Sequence, residues 1–275
     1  MSTDADERLP ARRAALTVDG LPSTGVHAAH VTLAEARTLR ARQARPGRST
    51  GEDGKHGLVT LREFAAFASA ASASRGSPVG VHVEAKHPAW HAATLPHCAR
   101  DAAAMVVSVA EALAAAGFGP AAAPWPSAPA FLQCFEPDAL RAAAARAGGL
   151  LPPLVQLIGR AGQVVPGGRG NQTFAAVADD QGLTTVAAYA AAIGPPMDAL
   201  LDTDIGKRAA ATSLGVHAYT LRDDAVRTRF SGDAAAEAAA ALAAGATALF
   251  GDHPATAVAA VREARQCGGG VVAAA

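Results

Sequence analysis

The chain has 275 residues, with Lys+Arg 24 balancing Asp+Glu 24, and a pI near 7.1. Half of it is hydrophobic, but alanine, which buries little area, supplies roughly a quarter of the residues, so Leu, Val, Ile and Phe must build the core. This balance excludes a strongly basic nucleic-acid binder, an acidic disordered tail and a collagen-like or disulfide-rich chain.

The three cysteines, Cys98, Cys134 and Cys267, are far apart and odd in number. No CxxC spacing exists, so neither a zinc knuckle nor a disulfide framework is legible, and they read as buried thiols. Residues 2–8 are polar and acidic, so no signal peptide is expected at this start, and localisation is not legible. No apolar run suggests a membrane span of ~18 residues; the nearest, 102–117, is interrupted by Glu111.

Residues 1–57 read as irregular, with one helix-like stretch over 32–42 and an Arg/Gly/Ser-rich loop ending at Gly57. Thr60, with Glu63 three positions on, predicts a capped helix over 61–73. From Pro78 the pattern changes to short apolar strands separated by helices. Strands are predicted over 78–84, 130–135, 154–158, 191–195, 215–219 and 246–250. Helices are predicted over 99–116, 139–147, 184–190, 200–213, 234–244 and 255–264. A long Gly-rich loop, 159–182, interrupts the alternation. The near-continuous apolar strands predict parallel pairing buried on both faces. With neither GxGxxG nor a P-loop, a barrel is favoured over a doubly wound nucleotide-binding sheet. The fold expected is α/β, a TIM-type (β/α) barrel that is incomplete, with about six of eight strands, in one domain spanning 1–275 with its β/α units over 78–265.

Active-site groups of such barrels project from the C-terminal ends of the strands. Glu84, Lys86, His87, Gln133, Phe135, His217, Tyr219, Thr220, Arg222 and Asp252 fall there. Glu84 and Lys86, two apart on a strand, face the same way. Spacing alone leaves open whether they form a strand-end ion pair or a ligand site. His82 and His217 are single strand histidines, readable as packing residues or as ligands. Asp252 is either a cap for the helix beyond Pro254 or a mouth residue. His87, His91 and His97 lack zinc-site spacing. The 159–182 loop contributes Arg160 and Arg169 but no acid/base pair. The residues reach a barrel with an anionic ligand and a divalent cation, and stop.

Six segments carry a resemblance: Gly80-Val81-His82-Val83-Glu84-Ala85-Lys86, Phe131-Leu132-Gln133-Cys134-Phe135, Leu154-Val155-Gln156-Leu157-Ile158, Ile193-Gly194-Pro195, Val216 to Arg222, and Leu249 to Pro254. In order and spacing they resemble the glycerophosphodiester phosphodiesterases, over nearly the whole chain. The resemblance implies hydrolysis of a glycerophosphodiester to glycerol 3-phosphate and an alcohol, with Ca²⁺ or Mg²⁺ as cofactor. It implies Glu84 as a metal ligand and Lys86, Gln133, Phe135, His217 and Tyr219 as substrate- or phosphate-binding residues. The family's HRG histidine, ExD carboxylate pair on a strand and HD histidine have no counterpart in this sequence. The chain therefore reads as a family member lacking about two β/α units and inactive as it stands, or alternatively as a non-catalytic barrel remnant that binds a phosphate ligand. Its partner is a small-molecule glycerophosphodiester, with no nucleic acid and no membrane span. Two uncovered barrel edges invite self-association.

Overall fold

The computed structural model describes residues 2–95, 100–118, 130–168 and 170–266. Two short strands, β1 (Ser2–Thr3) and β4 (Ala41–Arg42), pair antiparallel, and between them lies a hairpin of β2 (Arg13–Val18) and β3 (Leu21–Val26). The region expected to be irregular thus contains two two-stranded sheets, of which the hairpin is the longer. The signal for the hairpin is Asp19-Gly20: both residues have positive φ, 51° and 79°, as a two-residue hairpin turn requires.

Six parallel strands follow: β5 (Val81–Glu84), β6 (Ala130–Cys134), β7 (Leu154–Leu157), β8 (Ala192–Gly194), β9 (Gly215–Leu221) and β10 (Ala248–Gly251). They pair in chain order, each with the next, to give the expected incomplete barrel. Helices cover its outer face, and Val106, Leu132, Leu140, Leu183, Ile193 and Leu200 form the main core between the two layers.

Several helix boundaries differ from expectation for local reasons. The helix predicted over 32–42 is Leu33–Thr38, because Leu39 is already extended. The predicted 200–213 helix is two, Met197–Asp202 and Ile205–Ala211, broken at the extended Thr203. The predicted 159–182 loop holds the turn of helix Phe174–Val177 and the start of Asp180–Ala187, which Asp179 caps by accepting from the Gly182 amide at 2.7 Å. The 99–116 prediction becomes Ala102–Ala115, capped by Asp101. Thr60 and Glu63 form the capping box foreseen for Leu61–Arg75. Among the described residues no helix is long and apolar enough to cross a membrane.

The strand residues that face inward fill the lumen in layers, because side chains alternate along each strand. The lower layer is aromatic. His82 of β5 stacks on Phe131 of β6 at 5.1 Å between centroids and meets Phe250 of β10 edge-on at 4.7 Å. First and last strands of the sheet therefore touch across the lumen. His82 Nε2 and His217 Nδ1 share a 3.0 Å hydrogen bond inside this layer. Burial lowers both rings, His82 to about 3 and His217 to about 4, the neighbouring ring adding to the effect on His82. The fold thus holds both histidines neutral, and their contribution to stability is full above pH 6.5 and lost as pH falls below it.

A loss of roughly 2–4 kcal/mol between pH 6.5 and 5 is expected from this pair. Imidazole carbon shifts measured by NMR should show both rings neutral down to pH 5; protonation of either near pH 6.5 would contradict the buried neutral pair.

Candidate active site

Above the aromatic layer lies a cavity of about 440 Å³, lined by Glu84, Lys86, Gln133, Phe135, Leu157 and Tyr219 and, from the aromatic layer itself, by Phe250. It opens into a broader mouth of about 740 Å³ at the C-terminal ends of β5 to β9, as a parallel barrel dictates. Glu84, Lys86, Phe135 and Tyr219 line both spaces.

Glu84 Oε1 lies 2.7 Å from Lys86 Nζ. The Tyr219 hydroxyl donates to the Ile158 carbonyl at 2.7 Å; burial first, then the charge of Glu84, push its pKa to about 12, so it stays a hydrogen-bonding phenol. Gln133 is buried, and its Oε1 has no protein partner, a group left for a ligand to satisfy. Four of the expected site residues thus meet at both openings, and Gln133 joins them in the upper lumen. His217 does not. It sits one layer deeper, fully buried against His82 and Phe131, and lines neither space. Two residues along a strand is ~6.6 Å, enough to separate it from Tyr219.

Asp252 is not a helix cap. Its Oδ2 accepts from Arg48 Nη2 at 2.8 Å and from Arg222 Nε at 3.0 Å, and Arg48 also binds Asp224. This network ties the N-terminal segment to the end of the barrel. Arg227 at the mouth is held by Asp198 and by the fully buried Glu237. Arg160 is exposed at the rim, whereas Arg169, His97, Cys98 and Cys267 lie outside the described residues. Cys134 is a buried free thiol, pushed up to about 12 by burial.

One group at the mouth was not foreseen. The tip of the β2–β3 hairpin reaches over the barrel, where Asp19 Oδ2 lies 2.5 Å from His87 Nδ1 and Trp90 donates to the Thr17 carbonyl at 2.8 Å. Beside this pair stands Glu136, only 2% exposed. Its Oε2 accepts from the Ala89 amide at 2.9 Å, while its Oε1 is buried without a partner. Burial, with Asp19 adding to it, raises its pKa to about 7. Gly167 packs directly on it: a Cβ there would lie 2.7 Å from Oε2. The available sequence signal was its position, immediately after Phe135 and before Pro137, at the end of a strand.

The donors do not fit a resident divalent cation. Ca²⁺ and Mg²⁺ want about six oxygens. Glu84 is committed to Lys86 and Asp252 to two arginines, and among the described residues no group of three or more His, Cys, Asp or Glu could hold a metal. The cation implied for Glu84 by resemblance is therefore not supported by the ligand set.

Parallel strands in chain order, helices outside and a polar mouth at the strand ends define an incomplete (β/α) barrel with its site at the C-terminal face. The model of the glycerophosphoryl diester phosphodiesterase family matches residues 13–256, and the chain belongs to that family. Membership places it among the phosphoric diester hydrolases, in a family that acts on glycerophosphoryl diesters and generally uses a divalent cation. No curated protein matches the chain. The fold is shared with a crystal structure from Silicibacter pomeroyi DSS-3 described as a glycerophosphoryl diester phosphodiesterase. The two are 16% identical with a TM-score of 0.55, over 89% of this chain and 71% of that one.

A raised carboxyl pKa costs stability as pH climbs from 4.5, its ordinary value, through about 7. Glu136→Gln removes that cost. The variant should gain on the parent by roughly 3 kcal/mol between pH 4.5 and 8. Parallel urea titrations measure the gap, and a constant gap would mean that Glu136 ionises freely.

Proposed function

We propose that the mouth binds the phosphodiester of a glycerophosphodiester, with Lys86 as its cationic anchor and Tyr219 and Gln133 as hydrogen-bonding partners in the upper lumen. The observation that carries this reading is the convergence of Glu84, Lys86, Gln133, Phe135 and Tyr219 on one opening within the family match. Lys86 supplies positive charge against the anion, the Gln133 amide can donate to it, the Tyr219 oxygen, its proton given to the Ile158 carbonyl, can accept from a ligand hydroxyl, and Phe135 and Phe250 give an apolar wall.

Hydrolysis by this chain alone is not expected. The sequence carries no HRG or HD histidine and no ExD pair on a strand, and Glu84 is a lone carboxylate. Loss of general acid/base groups costs ~10²–10⁴-fold in rate. Turnover by the family route would need those groups supplied by other strands. The alternative, a phosphate-ligand binder with no catalytic role, uses the same residues.

Purified chain incubated with glycerophosphocholine and Ca²⁺ is expected to show no hydrolysis above blank. Calorimetry should show glycerol 3-phosphate binding that weakens about ten- to hundred-fold in Lys86→Ala, the worth of one charge-assisted hydrogen bond. Robust hydrolysis that disappears in Glu84→Ala would overturn the non-catalytic reading, and unchanged affinity in Lys86→Ala would overturn the anchor.

β5 and β10 each have one strand neighbour among the described residues. We propose that these edges pair with a second copy in solution. Light scattering behind size exclusion should show dimers or larger species; a monodisperse monomer would count against pairing.

A further inference from the structure

We propose that Glu136 and the Asp19–His87 pair form a second subsite in the mouth that takes the hydroxyl-bearing, polyol end of a ligand. This deepens the phosphodiester reading and rests on it for the ligand's other end, held near Lys86.

Three hydrogen-bonding groups converge here from three separate elements: the hairpin tip, the loop after β5 and the end of β6. All three line the larger cavity. Asp19 Oδ2 and His87 Nδ1 are held together at 2.5 Å, which leaves His87 Nε2 as the second hydrogen-bonding atom of the ring. Glu136 presents a buried Oε1 that no protein group satisfies. A buried carboxyl oxygen left bare is costly, and a ligand hydroxyl facing it would relieve that cost.

The chemistry of the subsite selects its occupant. Two carboxyl groups beside one imidazole repel a phosphate. Asp19 and His87 are bonded to each other and Glu136 to the Ala89 amide, and among the described residues no group of three or more His, Cys, Asp or Glu could hold a metal. A neutral hydroxyl both donates and accepts, so it can pair with His87 Nε2 in either role of that atom and with Glu136 in either protonation state. Lys86 and His87 are adjacent, as are Phe135 and Glu136, so the anion anchor and the polyol subsite lie side by side on the same two strand ends. The raised pKa of Glu136, to which burial and Asp19 contribute, fits a carboxyl able to work in either protonation state. His87 lowers it, and the Cys134 thiol, which accepts from the Glu136 amide at 3.3 Å, completes the surrounding titratable groups.

The test separates the two ends of the ligand. The full chain labelled with ¹⁵N is titrated with glycerol alone, following the Ala89 amide, which reports on Glu136 through its hydrogen bond, and the His87 ring. Saturable shifts are expected in both, absent in Glu136→Gln and at least several-fold weaker in Asp19→Asn. Glu136→Gln keeps an acceptor for Ala89, so its amide spectrum checks that the fold is intact. In calorimetry, glycerol 3-phosphate should bind about ten-fold tighter than ethyl phosphate, which lacks the diol, and Glu136→Gln should erase that preference without weakening ethyl phosphate. Lys86→Ala should weaken both. Glycerol shifts that are missing, unsaturable or unchanged in Glu136→Gln overturn the subsite, whatever the phosphates do. Glycerol shifts with no binding of either phosphate support the subsite and overturn the Lys86 anchor instead.

Discussion

The barrel depends on a buried contact between two neutral histidines. His82 and His217 lie on the first and second-to-last strands of the parallel sheet, yet they share a hydrogen bond across the lumen. Phe131 and Phe250 enclose them, so the sheet curls until its two edge strands touch through side chains. Charging one ring there would place an ion in an apolar layer, and charging both would set like charges side by side, so both rings stay neutral. The layer forms the floor of the upper cavity, and every residue of the candidate site is placed relative to it.

The second constraint comes from outside the barrel. The N-terminal segment has few buried side chains and is fastened by ion pairs and hydrogen bonds. Arg48 bridges Asp224 and Asp252, Asp19 meets His87, and Trp90 binds the Thr17 carbonyl. Exposed pairs of this kind are individually weak, at about 0–1 kcal/mol each. Their effect is positional: they bring the hairpin tip over the mouth and make Asp19 part of a site built by strands more than sixty residues away.

Most of the inner site was legible in the sequence. Strand periodicity puts Glu84 and Lys86 on one side, and the ends of the strands at 130–135 and 215–219 place Phe135 and Tyr219 at the same mouth. His217 has the same residue chemistry but lies two positions deeper, and nothing in its type or spacing marks where the lumen closes. Asp252 was open between cap and mouth; only the approach of Arg48, 204 residues away in sequence, decides its role. Glu136 lies just past the end of its strand, and nothing in that position marks its burial, which the Ala89 amide and Gly167 impose from elsewhere in the chain.

By itself, the sequence determined the parallel β/α order, the six strands and the face on which Glu84 and Lys86 lie. These follow from local periodicity and from the connectivity of short apolar runs. The tertiary structure decided which polar groups share a cavity. Asp19 and His87 are 68 residues apart, Ala89 and Glu136 are 47 apart, and His82 and His217 are 135 apart. Such contacts depend on how far the sheet curls and where the hairpin docks, which are set by packing across the whole lumen and mouth.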